Sequence, residues 1–467
     1  MTHPVRPSPV SLEAYPIAYD ATPIPLFSRL RTLTGAILLD SGSPSPQAGR
    51  FDIFSALPLA TLEVDTNGEV ACSAVPSSLR GDPIKAQRYL LDSLALDTRS
   101  VPAHLPFKAG LMGAWSYEFG RHLEGLPSSM QTLSPIACVG LYDWAVILDH
   151  QLQQGWLVAT PERRRAVLPI LNGDNVTTRG FRLTGPFTGI WSQQQYTHAF
   201  DDVQAYIRSG DCYQINLTQA FSATYEGDEW TAYLRLREAT PSPFSAFMKA
   251  GDSWLLSVSP ERFITLDQDG VKAQPIKGTR PRGYTPEQDA ALAHELEHSL
   301  KDRAENVMIV DLLRNDLGRV CVPGSVRVPE LVKRISYANV HHLVSTVVGT
   351  LAPQQDALDV LTASLPGGSI TGAPKHRAME IIDELEAGSR NYYCGSIGYI
   401  DISGHMDTSI TIRTAVACAG EISLWGGGGI VADSDCQEEY AESLAKINHL
   451  MEALTGHDSE SFQAGME

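Results

Sequence analysis

The apolar residues of the first 150 positions come in short runs broken by turn formers. AILLDSG (36–42), FDIFSALP (51–58), ATLEVD (60–65) and AVILDHQ (145–151) each read as a strand. Brief runs rich in branched and aromatic side chains suit a pleated, buried surface. The first 40 residues are proline-rich and lead into the first of these runs, SPSPQAG (43–49) reads as a loop, and TRGFRLTGPF (178–187) as a connection. A strand-rich region over 1–180 is the result, with a soft boundary between 165 and 190.

From residue 190 the period lengthens. Ser192 and Gln195 have the spacing of a capping box, Tyr196, Phe200, Val203 and Ile207 recur on one helical face, and Gly210 ends the run. CYQINLTQAFSATY (212–225) reads as a strand. Thr285, Pro286 and Gln288 predict a helix reaching about Leu300. The next helix is expected to open with Asp302 as its cap and Glu305 as the box partner. Pro374 suits the first position of a helix presenting Met379, Ile382 and Leu385. Asp435 and Glu438 predict a last helix of about 18 residues. This second region covers 190–455, and a polar tail covers 456–467.

A chain of 467 residues exceeds one simple core, so two domains or one large intergrown α/β unit are expected. The formal net charge of -18 argues against a general nucleic-acid binder, which needs basic patches. It leaves room for an anionic small substrate held by a few local donors. The seven cysteines are scattered and form no CxxC pair, which makes a disulfide framework or structural zinc site a poor reading. The N-terminus lacks an apolar signal run and no long apolar segment predicts a membrane span, so a cytoplasmic protein is the expectation.

Candidate chemistry gathers in the second region. Glu439 and Glu442, three apart, share a helix face. They serve equally well as acids stabilising a helix start or, with Glu305, as carboxylates for Mg²⁺, which prefers oxygen ligands. LPGGSITGAPK (365–375) places glycines before a helix start, where free N–H groups favour an anion or merely cap a loop. WGGGGIV (425–431) admits close backbone approach but fits neither nucleotide-binding glycine pattern. Lys277, in PIKGTRPRG (275–283), is either a solvated lysine or an amine placed to attack.

Taken together, SPERF (259–263), PIKGTRPRG, AENVMIVDLLRNDLGR (304–319), HHLVS (341–345), GGSITGAPK (367–375), SITIRT (409–414) and GGGIVADSDCQEEYAE (427–442) resemble the chorismate-utilising enzymes. GRFDIFSALP (49–58) and PIACVGLYDWAVILDH (135–150) are similar to the aminodeoxychorismate synthase branch of that family. The resemblance implies an α/β (α+β) fold: one large intertwined unit with two face-packed antiparallel sheets and outer helices. It implies that Glu305 and Glu442 hold Mg²⁺, with Glu439 assisting through water. Arg413 and the backbone from Ser369 through Thr371 to Gly372 would bind substrate carboxylates. His342 would orient the substrate or meet its departing hydroxyl, and Gln214, Thr279, Tyr393, Gly395 and Lys446 would line the pocket.

The same resemblance assigns Glu261 as general acid and Lys277 as the nucleophile that attacks C2 of chorismate while the C4 hydroxyl leaves. Ammonia then enters at C4. A free glutamate titrates at about 4.3, so Glu261 must be raised by its surroundings to carry a proton near neutrality. Anthranilate synthases typically carry a small residue where Lys277 stands, and isochorismate synthases a lysine where Gln214 stands. The first difference implies amination at C4 and the second ammonia rather than water as nucleophile, with anthranilate synthase component I and a non-catalytic chorismate-binding subunit as the alternatives. No glutamine-hydrolysing module is recognisable, so a separate glutamine amidotransferase is implied as the ammonia source. Near LLDSG, relatives carry a tryptophan pocket, which Asp40 and Ser41 would line here. A strand end and Ser-Gly turn explain that motif equally well.

Overall fold

The computed structural model describes residues 9–42, 49–126, 130, 132–133, 135–268, 270–337 and 340–456. The polar tail from residue 457 onward and most of the loop at 43–49 lie outside them. Two large sheets form the architecture. The first has fourteen strands, and its main path runs from Phe181–Leu183 through Gln214–Gly227, Glu421–Ile430, Thr414–Cys418, Ser253–Ser259 and Phe244–Ala250. It continues through Ile37–Asp40, Phe51–Ser55, Trp144–Asp149, Gln154–Ala159 and Val10–Ile17 to Leu96–Ser100. The second has eleven strands, running from Ile276–Pro281 and Val340–Gly349 to Ala60–Val64 and Val70–Ala71. Neighbours are antiparallel except the parallel pair of Val10–Ile17 with Leu96–Ser100. Each sheet takes strands from both ends of the chain.

Alternation along the strands explains why two sheets and outer helices are needed. Successive side chains point to opposite faces. Leu38, Phe247, Leu256, Ala415 and Ala417 join the core beneath the helices Glu229–Ala239 and Asn448–Thr455. Their neighbours Ile37, Ala246, Met248, Leu255 and Val416 join a second core shared with strands of the other sheet, such as Leu111, Val139 and Ile264. The first sheet is therefore apolar on both faces over its centre. That is why these runs look continuous rather than alternating in the sequence.

The sequence placed most elements correctly. Gln193–Ser209 carries the expected Ser192–Gln195 capping box and ends on Gly210 with a left-handed φ of 85°. Gln214–Gly227 is a strand of 14 residues. Some boundaries differ. Pro286–His298 stops two residues early because Ser299 caps a second helix, Leu300–Gly318, accepting from the Asp302 amide. Asp302 is thus inside the helix and not its cap. Pro374 stands at the cap position, with Lys375 the first helical residue. The final helix breaks at Lys446–Ile447 into Cys436–Ala445 and Asn448–Thr455, so the second piece can turn onto the apolar outer face of the first sheet. Among the described residues, no helix is long and apolar enough to cross a membrane.

Phe247 is the hub of the outer core, ringed by Phe27, Trp230, Tyr233 and Trp254 at centroid distances of 5.0 to 6.2 Å. Its truncation leaves a cavity that stiff aromatic neighbours cannot fill. Phe247→Ala is expected to cost about 3–5 kcal/mol, read as a lower urea midpoint.

Candidate active site

The chain passes from the first sheet to the second between Ser253–Ser259 and Arg262–Asp267. It returns between Met406–Ile410 and Thr414–Cys418. These two crossovers lie side by side. The Ser259 hydroxyl donates to the Ile410 carbonyl at 2.6 Å, the Ile410 amide to the Glu261 carbonyl at 3.1 Å, and the Val258 amide to the Arg413 carbonyl at 3.0 Å. Glu261 stands on the first crossover and Arg413 on the second. Arg413 has a φ of 49°, a left-handed conformation that an arginine adopts at a cost. The strand-like ITIRTAV run is therefore two strands with a sharp corner between them, and the arginine is at the corner. Its guanidinium is largely buried, has no hydrogen-bond partner among the described residues, and lies close enough to Glu261 to interact with its charge.

Burial pushes the Glu261 carboxyl up to about 7, against the opposing pull of Lys277, Arg413 and Lys446. A carboxyl raised in this way retains a proton closer to neutrality than a free glutamate does, which is chemistry a general acid can use. Lys277 reaches this point through a bulge. The edge strand Ile276–Pro281 shifts register between Ile276 and Thr279. Gly278 sits in the irregularity with φ 87°, and a Cβ there would meet Asp302 at 2.9 Å. An extra residue in one strand re-aims its neighbours. The Lys277 ammonium touches the Ser369 carbonyl at 3.4 Å.

The loop before helix Lys375–Leu385 supplies that carbonyl. Thr371 is fully buried and its hydroxyl donates to the Gly367 carbonyl at 2.9 Å. Gly372, at φ 150°, lies against the Gln214 backbone so closely that a Cβ would stand 2.2 Å from its carbonyl oxygen. The Gln214 side chain is completely buried, and neither amide atom has a hydrogen-bond partner among the described residues. Two such orphaned groups are costly unless something enters to pair with them. Gly429 provides the room, since a Cβ there would sit 2.5 Å from the Gln214 amide nitrogen. Tyr393 stacks on Trp425 at 6.0 Å, and Gly395 allows its loop to lie against the Trp115 carbonyl. His342 exchanges a hydrogen bond with the Thr279 hydroxyl at 2.8 Å. Burial and the charge of Arg413 push this imidazole down to about 4, so it is neutral near pH 7.

The three glutamates come from two helices. Glu305 is on Leu300–Gly318, and Glu439 and Glu442 are on Cys436–Ala445. A Cβ on Gly428 would lie 2.9 Å from Glu439 Oε2 and 3.9 Å from Glu442 Oε1, so the missing side chain opens the space these carboxylates share. Lysines occupy the cationic positions: Lys301 donates to Glu439 at 3.2 Å, and Lys446 pairs with Glu442 at 2.8 Å. Among the described residues, no three His, Cys, Asp or Glu side chains are gathered closely enough to hold a metal as they stand. Burial pushes Glu305 up, opposed by Lys277 and Lys301, while Glu439 and Asp302 add to the rise. The donor set is nonetheless all carboxylate oxygen around a glycine-made space, which is chemistry a small divalent cation accepts.

Asp40 and Ser41 fall in a separate network. Asp40 accepts from Arg237, from the Tyr233 hydroxyl and from the Gly42 amide, while Ser41 donates to Asp52. Lys375 is buried in a 2.7 Å pair with Asp316. The sequence reading missed Lys301. Its signal was present, since Lys301 and Glu305 are one helical turn apart.

The chain belongs to the chorismate binding enzyme family, which matches residues 60–452. It is 47% identical to aminodeoxychorismate synthase component 1 of Escherichia coli, over 92% of this chain and 95% of that one. It is 46% identical to the protein of the same name from Salmonella typhimurium, with the same coverage. Among solved structures, anthranilate synthase component I from Streptococcus pneumoniae superposes with a TM-score of 0.75 at 28% identity, covering 88% of this chain and 93% of that one. The expected fold, two antiparallel-dominated sheets with outer helices, is the one observed.

A carboxyl raised by the fold binds its proton more tightly folded than unfolded. Stability from Glu261 is therefore present at low pH and lost as pH rises from the unfolded value toward about 7. Glu261→Gln should match the parent in urea at pH 4 and exceed it at pH 8, by on the order of 3 kcal/mol.

Proposed function

We propose that this chain is the synthase component that converts chorismate and ammonia to 4-amino-4-deoxychorismate, the precursor of 4-aminobenzoate and folate. The observation that carries the reading is a buried carboxyl raised to about 7 beside a lysine aimed inward by a strand bulge. The similarity to aminodeoxychorismate synthase components supports the choice of product.

In this reading Lys277, in its unprotonated form, adds to C2 of chorismate. The two ring double bonds shift, and the C4 oxygen leaves as water with the proton held by Glu261. Ammonia then adds to C4, the double bonds shift back, and the Lys277 amine is expelled from C2. Neutral His342 accepts or donates a hydrogen bond without adding charge. Arg413, with an unused fork, takes a substrate carboxylate. The unpaired Gln214 amide meets the nucleophile or its water. Ser369, Thr371 and Gly372 hold the substrate by their backbone, while Thr279, Tyr393, Gly395 and Lys446 complete the wall.

Magnesium would be held by Glu305, Glu439 and Glu442, and would supply charge to fix a substrate carboxylate. Its entry requires Lys301 to leave Glu439. Ammonia would come from a glutamine amidotransferase partner, and a cytoplasmic setting fits this metabolism. Tryptophan at Asp40 and Ser41 would require displacing Arg237 or Tyr233 from the Asp40 carboxylate.

The first test is incubation with chorismate, Mg²⁺ and ammonium, with the product identified by mass and retention. Aminodeoxychorismate is expected; anthranilate would assign the chain to the other synthase, and no turnover with retained binding would make it a binding subunit. Lys277→Ala should lower aminodeoxychorismate formation by about 100-fold or more. An unchanged rate and product would remove its nucleophilic role. Chelation by EDTA should abolish turnover, and added Mg²⁺ should restore it.

A further inference from the structure

Strand Gln214–Gly227 pairs along its length with Glu421–Ile430, but its other edge is only partly covered. Gly372–Ala373 covers Gln214 and Ile215, and Thr188–Gly189 covers Phe221 and Ser222. Between them, on this edge, residues 216–218 pair with no strand among the described residues. A buried ion pair fills the gap. The Arg390 guanidinium donates to the Asn216 carbonyl at 2.5 Å, and Glu386 accepts from the Thr218 amide at 2.9 Å and its hydroxyl at 2.8 Å. Arg390 also donates to both Glu386 oxygens, at 2.6 and 2.9 Å, and lies over the Tyr117 ring at 4.8 Å.

One further donor of the same guanidinium leaves the strand. It reaches the Ile370 carbonyl at 2.7 Å. Ile370 is flanked by Ser369, whose carbonyl receives Lys277, and by Thr371, whose carbonyl receives the Asn216 amide. Arg390 itself begins the turn that carries Tyr393, whose amide returns to the Arg390 carbonyl at 2.9 Å. A planar fork with fixed donor directions can hold several segments at set positions, which a flexible ammonium cannot.

We propose that Arg390, braced by Glu386, is a positioning residue: it locks the strand of Gln214, the loop of Ser369–Gly372 and the turn of Tyr393 together, and so holds the partner of Lys277 in place. This rests on the reading of Lys277 as nucleophile. The ordinary alternative is a buried pair that merely stabilises the fold. Removing one member of such a pair leaves an uncompensated charge, so any variant will lose some stability.

The test uses Arg390→Lys and Glu386→Gln in the full chain. Each is examined by amide hydrogen exchange at 214–218 and 368–373 and by steady-state kinetics at a temperature where the variant is folded. Expected are faster exchange in those segments and a kcat lower by roughly tenfold or more, with KM for chorismate changed less than about threefold. Rates reduced only in proportion to the unfolded fraction, or exchange unchanged in 368–373, would overturn the proposal. If Arg390→Lys does not fold, Glu386→Gln decides, since it keeps the side-chain shape and one acceptor for Thr218. Failure of the parent protein to make aminodeoxychorismate would strike the functional reading instead, and exchange in 368–373 would still decide whether the clamp exists.

Discussion

The site depends on the hydrogen bonds that tie two neighbouring crossovers between the sheets. Ser259 to Ile410, Ile410 to Glu261 and Val258 to Arg413 are short contacts in a region with no regular ladder. They place one carboxyl and one guanidinium at the seam of two sheets. A residue on a strand centre would be buried against apolar neighbours, and one on an outer loop would be solvated. At the seam it is buried yet faces other polar groups. That setting raises Glu261, because burial disfavours its charged form more than the nearby cations favour it.

Around that seam the charges are arranged unequally. Away from the seam, several buried ions are paired: Arg390 with Glu386, Lys375 with Asp316, and Arg237 with Asp40. Such pairs contribute little net stability but fix geometry when each donor has an acceptor. Among the described residues, Arg413 has no hydrogen-bond partner, Gln214 has none for either amide atom, and the Lys277 ammonium meets the Ser369 carbonyl at 3.4 Å. Unpaired groups in a low-dielectric space cost stability and bind a complementary anion strongly.

Much of the fold was legible because its signals are local. The Ser192 capping box, the Gly210 stop and the strand at 214–227 follow from spacing within a few residues. The site was legible mainly through its resemblance to a family, since Glu261, Lys277 and Arg413 are separated by long stretches and meet only through topology. The errors have physical causes. Asp302 looks like a cap, but Ser299 reaches the helix first; Lys375 stands in a first turn, where lysines are usually solvated, but it is buried against Asp316 of another helix. Arg413 reads as strand because ITIRTAV is apolar, and nothing local announces the left-handed corner. Arg390 and Glu386 have helix-like i,i+4 spacing, but the strand backbone they hold is 174 and 168 residues earlier in the chain.

The glycines complete the argument. Gly278, Gly372, Gly428 and Gly429 each stand where a single methyl would strike a neighbour: Asp302, the Gln214 carbonyl, Glu439 and the Gln214 amide. Two of these are backbone needs, at positive φ. The other two lie in an ordinary strand, where glycine is a liability for the ladder. Their use there makes sense only if the space matters more than the strand. Gly428 opens toward the carboxylates and Gly429 toward the unpaired amide, on opposite faces of one strand. A single run of small residues thereby hollows out both sides of the sheet, leaving room beside the acids on one face and beside the orphaned amide on the other.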